Sequence, residues 1–217
     1  MSRIILFGGH GHVARLATPL LVQAGHTVTS IIRNPDQVAA LVELGAEPVV
    51  ADLEKLTIEG FGGLIDGHDT IAWAAGAGGG SPSRTWAIDR DAAVYSVQAA
   101  LIGDVRRYLM VSWSGSRIDH RIAQTDDFFP YSQAKAIADS VIRDSGLDYT
   151  IVAPGRLTND PASGGVERAD DAGSVSRADV AALVVAALDN PASIGRTYRF
   201  NSGTIAPADF IAMDATR

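Results

Sequence analysis

The sequence predicts an α/β fold: a doubly wound parallel sheet between two helical layers, giving three α/β/α layers in a single domain. Short apolar segments alternate along the chain with amphipathic segments of helical period. The apolar segments are continuously hydrophobic, as strands covered on both faces are. No Pro-, Ser- or charge-rich linker interrupts the 217 residues, so residues 1–217 are interpreted as one domain.

The first strand-helix unit sets the pattern for the rest of the chain. Residues 3–7 are apolar and β-branched and lead into a glycine-rich turn, after which apolar residues recur at helical spacing over 13–24. Gly25 marks the end of that helix. Segments of the same kind follow, and the predicted strands are 3–7, 27–32, 47–50, 69–75, 108–112, 149–153 and 197–200.

Capping residues mark the ends of the predicted helices. Asn34 and Pro35 favour an N-cap and a first helical position, and Ser176 with Asp179 has the form of a capping box. Glycines at 45, 103 and 146 stand where helices are expected to end. The predicted helices are 13–24, 38–44, 84–102, 130–145 and 176–188.

Composition excludes several classes of function. The 25 acidic residues outweigh 18 Lys and Arg, and a net charge of -7 repels a nucleic-acid backbone. The chain has no cysteine, which excludes disulfides, thiolate catalysis and cysteine metal sites. The N-terminal residues are expected to form a strand rather than an export signal, and no apolar run is long enough to span a bilayer. We therefore expect a cytoplasmic protein without nucleic-acid or membrane partners.

The turn after the first strand predicts an anion site. Gly8, Gly11 and Ala14 form G-x-x-G-x-x-A between strand and helix, and small residues there let the backbone approach a pyrophosphate. Its charge would lie on N–H groups of the first helical turn, which includes His12 and Val13. The alternative is an ordinary tight turn with exposed histidines. No spaced set of metal ligands accompanies His12, so no metal site is predicted. The context favours a dinucleotide-binding Rossmann fold.

The end of the second strand predicts which dinucleotide binds. A carboxylate at this place favours NAD, whereas an arginine favours the 2′-phosphate of NADP. This chain has Arg33, whose guanidinium can hold a phosphate through paired hydrogen bonds. NADP(H) is therefore preferred and NAD(H) is possible; the alternative is that Arg33 is only a solvated charge. Asp52 and Leu53 are expected near the adenine, or else simply begin an acidic loop.

Several motifs together resemble the atypical short-chain dehydrogenase/reductases, in particular the small NmrA-like and biliverdin/flavin-reductase-like NAD(P)H-binding proteins. The resemblance covers about residues 3–190. It is carried by the glycine turn, Ile32-Arg33-Asn34-Pro35, Ala51-Asp52-Leu53, Asp69-Thr70-Ile71 before Ala74-Ala75-Gly76, Met110-Val111-Ser112, and residues 145–152 before Pro154-Gly155. It implies that Ala74, Ala75, Gly76 and Pro154 contact the cofactor. Ala153 stands where the family usually has Arg, and His10 replaces a small hydroxyl residue in the turn.

The segment Tyr131-x-x-x-Lys135 raises the question of catalysis. Residues four apart share one helix face, and a lysine beside a phenol lowers its pKa. The resemblance implies that Ser112 is the site serine, Tyr131 the acid/base, and Lys135 both its activator and a cofactor ligand. The alternative is that the pair occurs by chance and that Lys135 lies on the solvent side of an amphipathic helix.

These residues predict an NADP(H)-dependent oxidoreductase that acts on a small carbonyl, quinone or flavin-like acceptor. Residues 159–173 are expected to form a loop on the substrate side. The alternative is a non-catalytic redox sensor that binds NADP(H) and reports its state to a protein partner. Both functions need the same glycine turn and Arg33, so the sequence leaves the choice open.

Overall fold

The computed structural model describes residues 1–79, 81–169 and 172–214. Most of its strands coincide with the continuously apolar segments of the sequence. Within the described residues the strands are β1 (Arg3–Phe7), β2 (Thr27–Ile32), β3 (Glu47–Val50), β4 (Thr70–Trp73), β5 (Arg107–Val111), β6 (Asp148–Pro154), β7 (Arg156–Thr158), β8 (Val166–Arg168), β9 (Ser174–Ser176) and β10 (Arg196–Ser202).

The helices alternate with the first six strands and follow them at the end of the chain. They are α1 (His12–Gln23), α2 (Val38–Glu43), α3 (Ile58–Ile65), α4 (Pro82–Thr85), α5 (Ala93–Ile102), α6 (Phe129–Asp144), α7 (Arg177–Asp189) and α8 (Pro207–Asp214). A π-helical segment, Trp86–Ala92, joins α4 to α5. None of the helices in the described ranges has the length and apolarity needed to cross a membrane.

The main sheet has the strand order β3-β2-β1-β4-β5-β6-β10-β8. All its pairs are parallel except β10–β8, so the predicted doubly wound α/β fold is confirmed, with one antiparallel edge strand. β1 pairs with β2 on one side and β4 on the other. The direction of winding reverses there, and doubly wound folds place ligands at the carboxyl edge of such a switch point.

Alternate side chains of the sheet supply two separate cores. Ile4 and Leu6 of β1 face α1, α2, α7 and α8, whereas Ile5 and Phe7 face α3, α5 and α6. Because strand side chains alternate in direction, a continuously apolar strand fills both layers. The two cores hold the carboxyl ends of β1, β4 and β5 in fixed positions beside one another.

Four features were not predicted from the sequence. The helix α3 contains three glycines, which lower helix propensity, but Phe61 and Ile65 are fully buried and Thr57 caps it by accepting from the Gly60 N–H. The small β7–β9 pair and the helix α8 also escaped prediction. The loop predicted over 159–173 contains β8, and its positions 170 and 171 lie outside the described residues.

Candidate functional site

The turn between β1 and α1 leaves an open helix N-terminus. Gly8 adopts a φ of 81°, and a Cβ there would lie 2.5 Å from Cα of Ala75, so only glycine fits. Gly11 is the N-cap of α1, and no side chain caps the helix. The N–H groups of the first turn, which includes His12, Val13 and Ala14, therefore remain available to an anion.

A cavity of about 290 Å³ opens beside this turn, at the carboxyl ends of β1, β2, β3 and β4. Its walls bring together most of the predicted cofactor residues, and they also include residues that were not predicted to contact the cofactor. The predicted ones are Gly8, Gly11, Arg33, Asp52, Leu53, Ala74, Ala75 and Gly76; the additional ones include His10, Asn34, Gln37, Glu54, Arg84 and Ile88.

Two arginines share one carboxylate at the mouth of this cavity. Oε1 of Glu54 lies 2.8 Å from Nε of Arg84 and 3.4 Å from a terminal nitrogen of Arg33. The side chain of Arg84 is 35% exposed and that of Arg33 57% exposed. Arg33 is thus where the sequence predicts it, and Arg84 adds a second guanidinium that reaches the same place from α4.

The loop after β4 is held by a buried carboxylate from the π-helical segment. Oδ2 of Asp89 accepts a hydrogen bond of 2.9 Å from the Ala77 N–H. A Cβ on Gly76 would lie 2.9 Å from Oδ1 of Asp89, so the loop and the carboxylate pack directly. Burial raises the pKa of Asp89, against the lowering effect of Lys135. A π-helical turn frequently marks a functional site.

Lys135 lies inside the protein, contrary to the solvent-facing alternative. It is 1% exposed, and Nζ donates 2.9 Å to the Val111 carbonyl and 3.1 Å to Sδ of Met110. The ammonium group is therefore fixed against the carboxyl end of β5. Its charge also acts to lower the pKa of both Asp89 and Asp139, against the larger effect of burial, so one cation acts on two buried carboxyl groups.

Ser112 follows β5 and is bound to a residue of α6 that the sequence analysis missed. Its Oγ donates 2.6 Å to Oδ2 of Asp139, and Oγ of Ser116 donates 2.5 Å to the same oxygen. Asp139 is buried, which raises its pKa against the effects of Lys135, both serines and Arg143. The signal for Asp139 was its spacing, one helical turn beyond Lys135.

Tyr131 lies in an aromatic wall beside these groups. Its ring centroid is 5.2 Å from that of Phe128 and 6.3 Å from that of Trp113. Burial raises the pKa of Tyr131, and Asp89 and Asp139 raise it further. The prediction that Lys135 lowers this pKa is therefore wrong for the free protein: the ammonium is bound to Val111 and shared with two carboxyl groups.

Comparison with known proteins identifies the family to which this chain belongs. The family described as NAD(P)H-binding matches residues 8–191, most of the chain, including the glycine turn, the cavity and α6. The chain belongs to this NAD(P)H-binding family. The assignment confirms the nicotinamide-binding fold inferred from the glycine turn, and it is consistent with the resemblance to atypical short-chain dehydrogenase/reductases.

Relatives within and around the NAD(P)H-binding family share nearly the full length of the chain. The uncharacterised sugar epimerase YhfK of Bacillus subtilis (strain 168) is 34% identical over 205 residues, 93% of this chain and 94% of YhfK. A Bacillus halodurans structure provisionally named NAD-dependent epimerase/dehydratase has a TM-score of 0.90 at 31% identity, covering 98% of this chain and 100% of its own. The anaerobillin reductase ChuY of Escherichia coli O157:H7 shares the fold, with a TM-score of 0.76 at 24% identity, covering 95% of this chain and 100% of ChuY.

The segment predicted to form the substrate-side loop is anchored to α7 in this member of the NAD(P)H-binding family. Asp179 accepts hydrogen bonds from the N–H groups of Ser163 and Gly164 and from the hydroxyl of Ser176. A second cavity, of about 450 Å³, lies between this loop and α1; it is lined by residues including His12, Arg15, Asn159, Pro161 and Arg177. His12, predicted to contact the cofactor, thus lines this second cavity on the side of the loop.

Pro154 and Trp113 complete the far side of the site. Pro154 ends β6 and is buried, and its carbonyl accepts 2.8 Å from the Ser114 N–H, which ties the loop after β5 to β6. Trp113 packs edge-on against Phe128 at 5.1 Å. A Cβ on Gly115 would lie 2.1 Å from the Trp113 ring, so that loop is closely packed around the indole.

Proposed function

We propose that this protein is an NADP(H)-dependent oxidoreductase that acts on a small carbonyl, quinone or flavin-like acceptor. The observation that carries the proposal is the single cavity that joins an uncapped helix N-terminus to two arginines at the end of β2 and on α4. Such a cavity offers N–H groups to a diphosphate and guanidinium groups to a 2′-phosphate. When bound, NADPH supplies a hydride.

Arg33 and Arg84 give the preference for the phosphorylated cofactor. In the free protein both guanidiniums point at one oxygen of Glu54. A phosphate monoester carries more charge than a carboxylate and offers more acceptor oxygens, so it competes well for both donors. Because these side chains are 30% to 57% exposed, solvent screening limits what the Glu54 contacts contribute.

Tyr131 is assigned the donation of a proton to the reduced acceptor. Burial raises the pKa of Tyr131, so the phenol is protonated at neutral pH and has a proton to give to the acceptor. Lys135 holds the carboxyl end of β5 in place through Val111, and its charge acts against the burial that raises the pKa of Asp89 and of Asp139.

The cofactor assignment is tested by titrating NADPH and NADH into the wild type, Arg33→Ala and Arg84→Ala. Each substitution removes one charged phosphate contact, worth about 1.5–3 kcal/mol, so the Kd of NADPH should rise about tenfold or more while that of NADH changes little. Arg106→Ala is the control, because Arg106 is exposed at the opposite, amino end of β5. Equal affinities for NADPH and NADH in the wild type would contradict the assignment.

Turnover is tested by following NADPH consumption with menadione and with FMN as acceptors. Tyr131→Phe should abolish consumption and leave the Kd of NADPH nearly unchanged, because the lost group is the proton donor rather than a cofactor ligand. Net consumption also separates the proposal from an epimerase, the activity in the name of YhfK, whose cycle returns the cofactor unchanged. Undiminished turnover by Tyr131→Phe would exclude Tyr131 as the acid.

A redox sensor is the second candidate, and the geometry of Ser112 favours it. The hydroxyl proton of Ser112 is bound to Asp139 in the free protein rather than directed to an acceptor. A sensor would bind NADPH tightly, consume none with any acceptor, and associate with a protein partner differently in NADPH and in NADP⁺.

A further inference from the structure

A buried carboxyl group lies directly behind Ser112. Asp139 is 1% exposed. It lies one helical turn after Lys135 and two turns after Tyr131, so the three side chains share a face of α6. A carboxyl group in the interior is costly unless its atoms are paired. The hydrogen bonds that pair the Asp139 carboxyl therefore determine whether the neighbouring serine hydroxyls can donate to or accept from another group.

The hydrogen bonds of Asp139 fix the direction of the Ser112 hydroxyl. Oδ2 accepts from Ser112 at 2.6 Å and from Ser116 at 2.5 Å. A serine hydroxyl has one proton, so Ser112 can offer only lone pairs to any further partner. Over the part of the chain that the structure describes, no hydrogen-bond partner reaches the buried Oδ1.

A proton on Asp139 reverses this arrangement. A protonated Oδ2 donates to a serine oxygen, and that serine must then turn its own hydrogen elsewhere. Ser116 is 2% exposed and sits within the turn after Trp113, where its N–H donates to the Trp113 carbonyl. Ser112 is 5% exposed and follows the carboxyl end of β5, the sheet edge where doubly wound folds place their ligands, so it is the serine whose hydroxyl is assigned to turn toward a bound molecule.

Several charged and polar groups act on the Asp139 carboxyl. Burial raises its pKa, whereas Lys135 and Arg143 of α6 and the two serine hydroxyls act against that effect. The phenols of Tyr108 on β5 and Tyr131 on α6 also interact with its charge. From the π-helical segment, Asp89 shares the charge of Lys135.

We propose that Asp139 is a positioning residue that sets the direction of the Ser112 hydrogen bond, and with it the group that an acceptor molecule must present there. With Asp139 ionised, Ser112 accepts from an N–H or O–H group. With Asp139 protonated, Ser112 donates to a carbonyl oxygen. This inference rests on the proposed function and adds a substrate criterion to it.

Two probes of similar ring size test the reversal in the presence of NADP⁺, where no turnover occurs. Menadione offers only carbonyl oxygens, and 1-naphthol offers a hydroxyl proton. ¹³C NMR of the Asp139 carboxyl carbon in the complex locates its titration, and Kd is measured by calorimetry between about pH 5 and 9. Above that titration the Kd of menadione should rise toward tenfold per pH unit, whereas the Kd of 1-naphthol should fall as pH rises through it.

Three variants separate positioning from a structural role. Asp139→Asn keeps the shape but cannot ionise, so both profiles should become flat, and Ser112→Ala should also remove the pH dependence. Ser116→Ala is the matched control: it takes one donor from the ionised carboxylate, so the menadione profile should persist and shift to higher pH. A purely structural Asp139 would lower the melting temperature of Asp139→Asn and leave the shapes of the profiles intact.

Several results would overturn the inference. They are a wild-type Kd equal on both sides of the Asp139 titration, a carboxyl carbon that does not titrate in this range, and menadione that binds at no pH although NADP⁺ binds. Failure of NADP⁺ itself to bind would instead refute the proposed function, so the two failures are distinguishable.

Discussion

Gly8 and Gly25 have similar left-handed backbones but different surroundings. Their φ values are 81° and 90°. A Cβ on Gly8 would lie 2.5 Å from Cα of Ala75, whereas a Cβ on Gly25 would meet no atom within 4 Å. Substitutions at the two positions therefore separate the cost of a left-handed backbone, which both share, from the cost of a steric collision in the cofactor turn, which only Gly8 has.

The variant Gly8→Ala should lose both stability and cofactor binding. Backbone strain alone costs about 1 kcal/mol, and the collision with Ala75 adds to it and displaces the turn that is proposed to face the diphosphate. We expect a loss of about 2–3 kcal/mol in urea unfolding and a rise of at least tenfold in the Kd of NADPH. The matched variant Gly25→Ala should lose only the stability that backbone strain costs, about 1 kcal/mol, and should leave the Kd of NADPH unchanged. An equal effect of both variants on Kd would contradict this account.

Individual site residues differed in how far the sequence could predict them. Arg33 was predictable, because its place at the end of a strand follows from local pattern. Glu54 and Arg84 were not, because their contact depends on how α4 packs over the turn after Asp52. Tyr131 and Lys135 were predicted as a pair, with a solvent-facing Lys135 as the alternative. Asp139 was missed, because its contact with the Ser112 hydroxyl depends on how α6 packs against β5.

At the scale of elements, α7 holds the predicted substrate-side loop through Asp179. Burial acts to raise the pKa of Asp179, but hydrogen bonds from Ser163, Ser176 and Gly164 outweigh it and the pKa is lowered. A carboxyl with a lowered folded-state pKa stabilises the protein above its unfolded value, about 3.9. That contribution is lost as pH falls through the folded-state pKa.

Asp179→Asn should therefore destabilise the protein by about 1–3 kcal/mol at neutral pH, measured by urea unfolding. The difference from the wild type should shrink as pH falls below about 4, because the wild-type carboxyl is then also neutral. Proteolysis within the loop should become faster at neutral pH. Asp209→Asn, a substitution on α8, is the control, and a difference between wild type and Asp179→Asn that grows toward acid pH would contradict the assignment.

The succession of elements was largely predictable, because apolar period and capping residues are local properties. The first six strands and the long helices lie close to their predicted positions. The exceptions have tertiary causes. α3 forms because Phe61 and Ile65 are buried against β1 and α5, and β8 forms because it pairs with β10. Neither partner is visible from within the segment itself.

At the scale of the whole molecule, cofactor binding and folding are linked. A ligand that binds only the folded chain at a hundredfold excess over its Kd stabilises by about 2.7 kcal/mol. For a chain of this size each kcal/mol raises the melting temperature by about 2–4 °C. NADPH at that concentration should therefore raise the melting temperature by about 5–11 °C.

The same measurement identifies the group that the cofactor site recognises. NADH at equal concentration should give a smaller shift, because it lacks the phosphate that Arg33 and Arg84 are proposed to bind. A tenfold weaker Kd removes about 1.4 kcal/mol, so Arg33→Ala should reduce the NADPH shift by about 3–6 °C and bring it toward the NADH shift. Arg106→Ala should retain the wild-type difference between the two cofactors, since its charge lies at the other edge of the sheet. Equal shifts for NADPH and NADH in the wild type would mean that the two arginines pair with Glu54 and do not bind the 2′-phosphate.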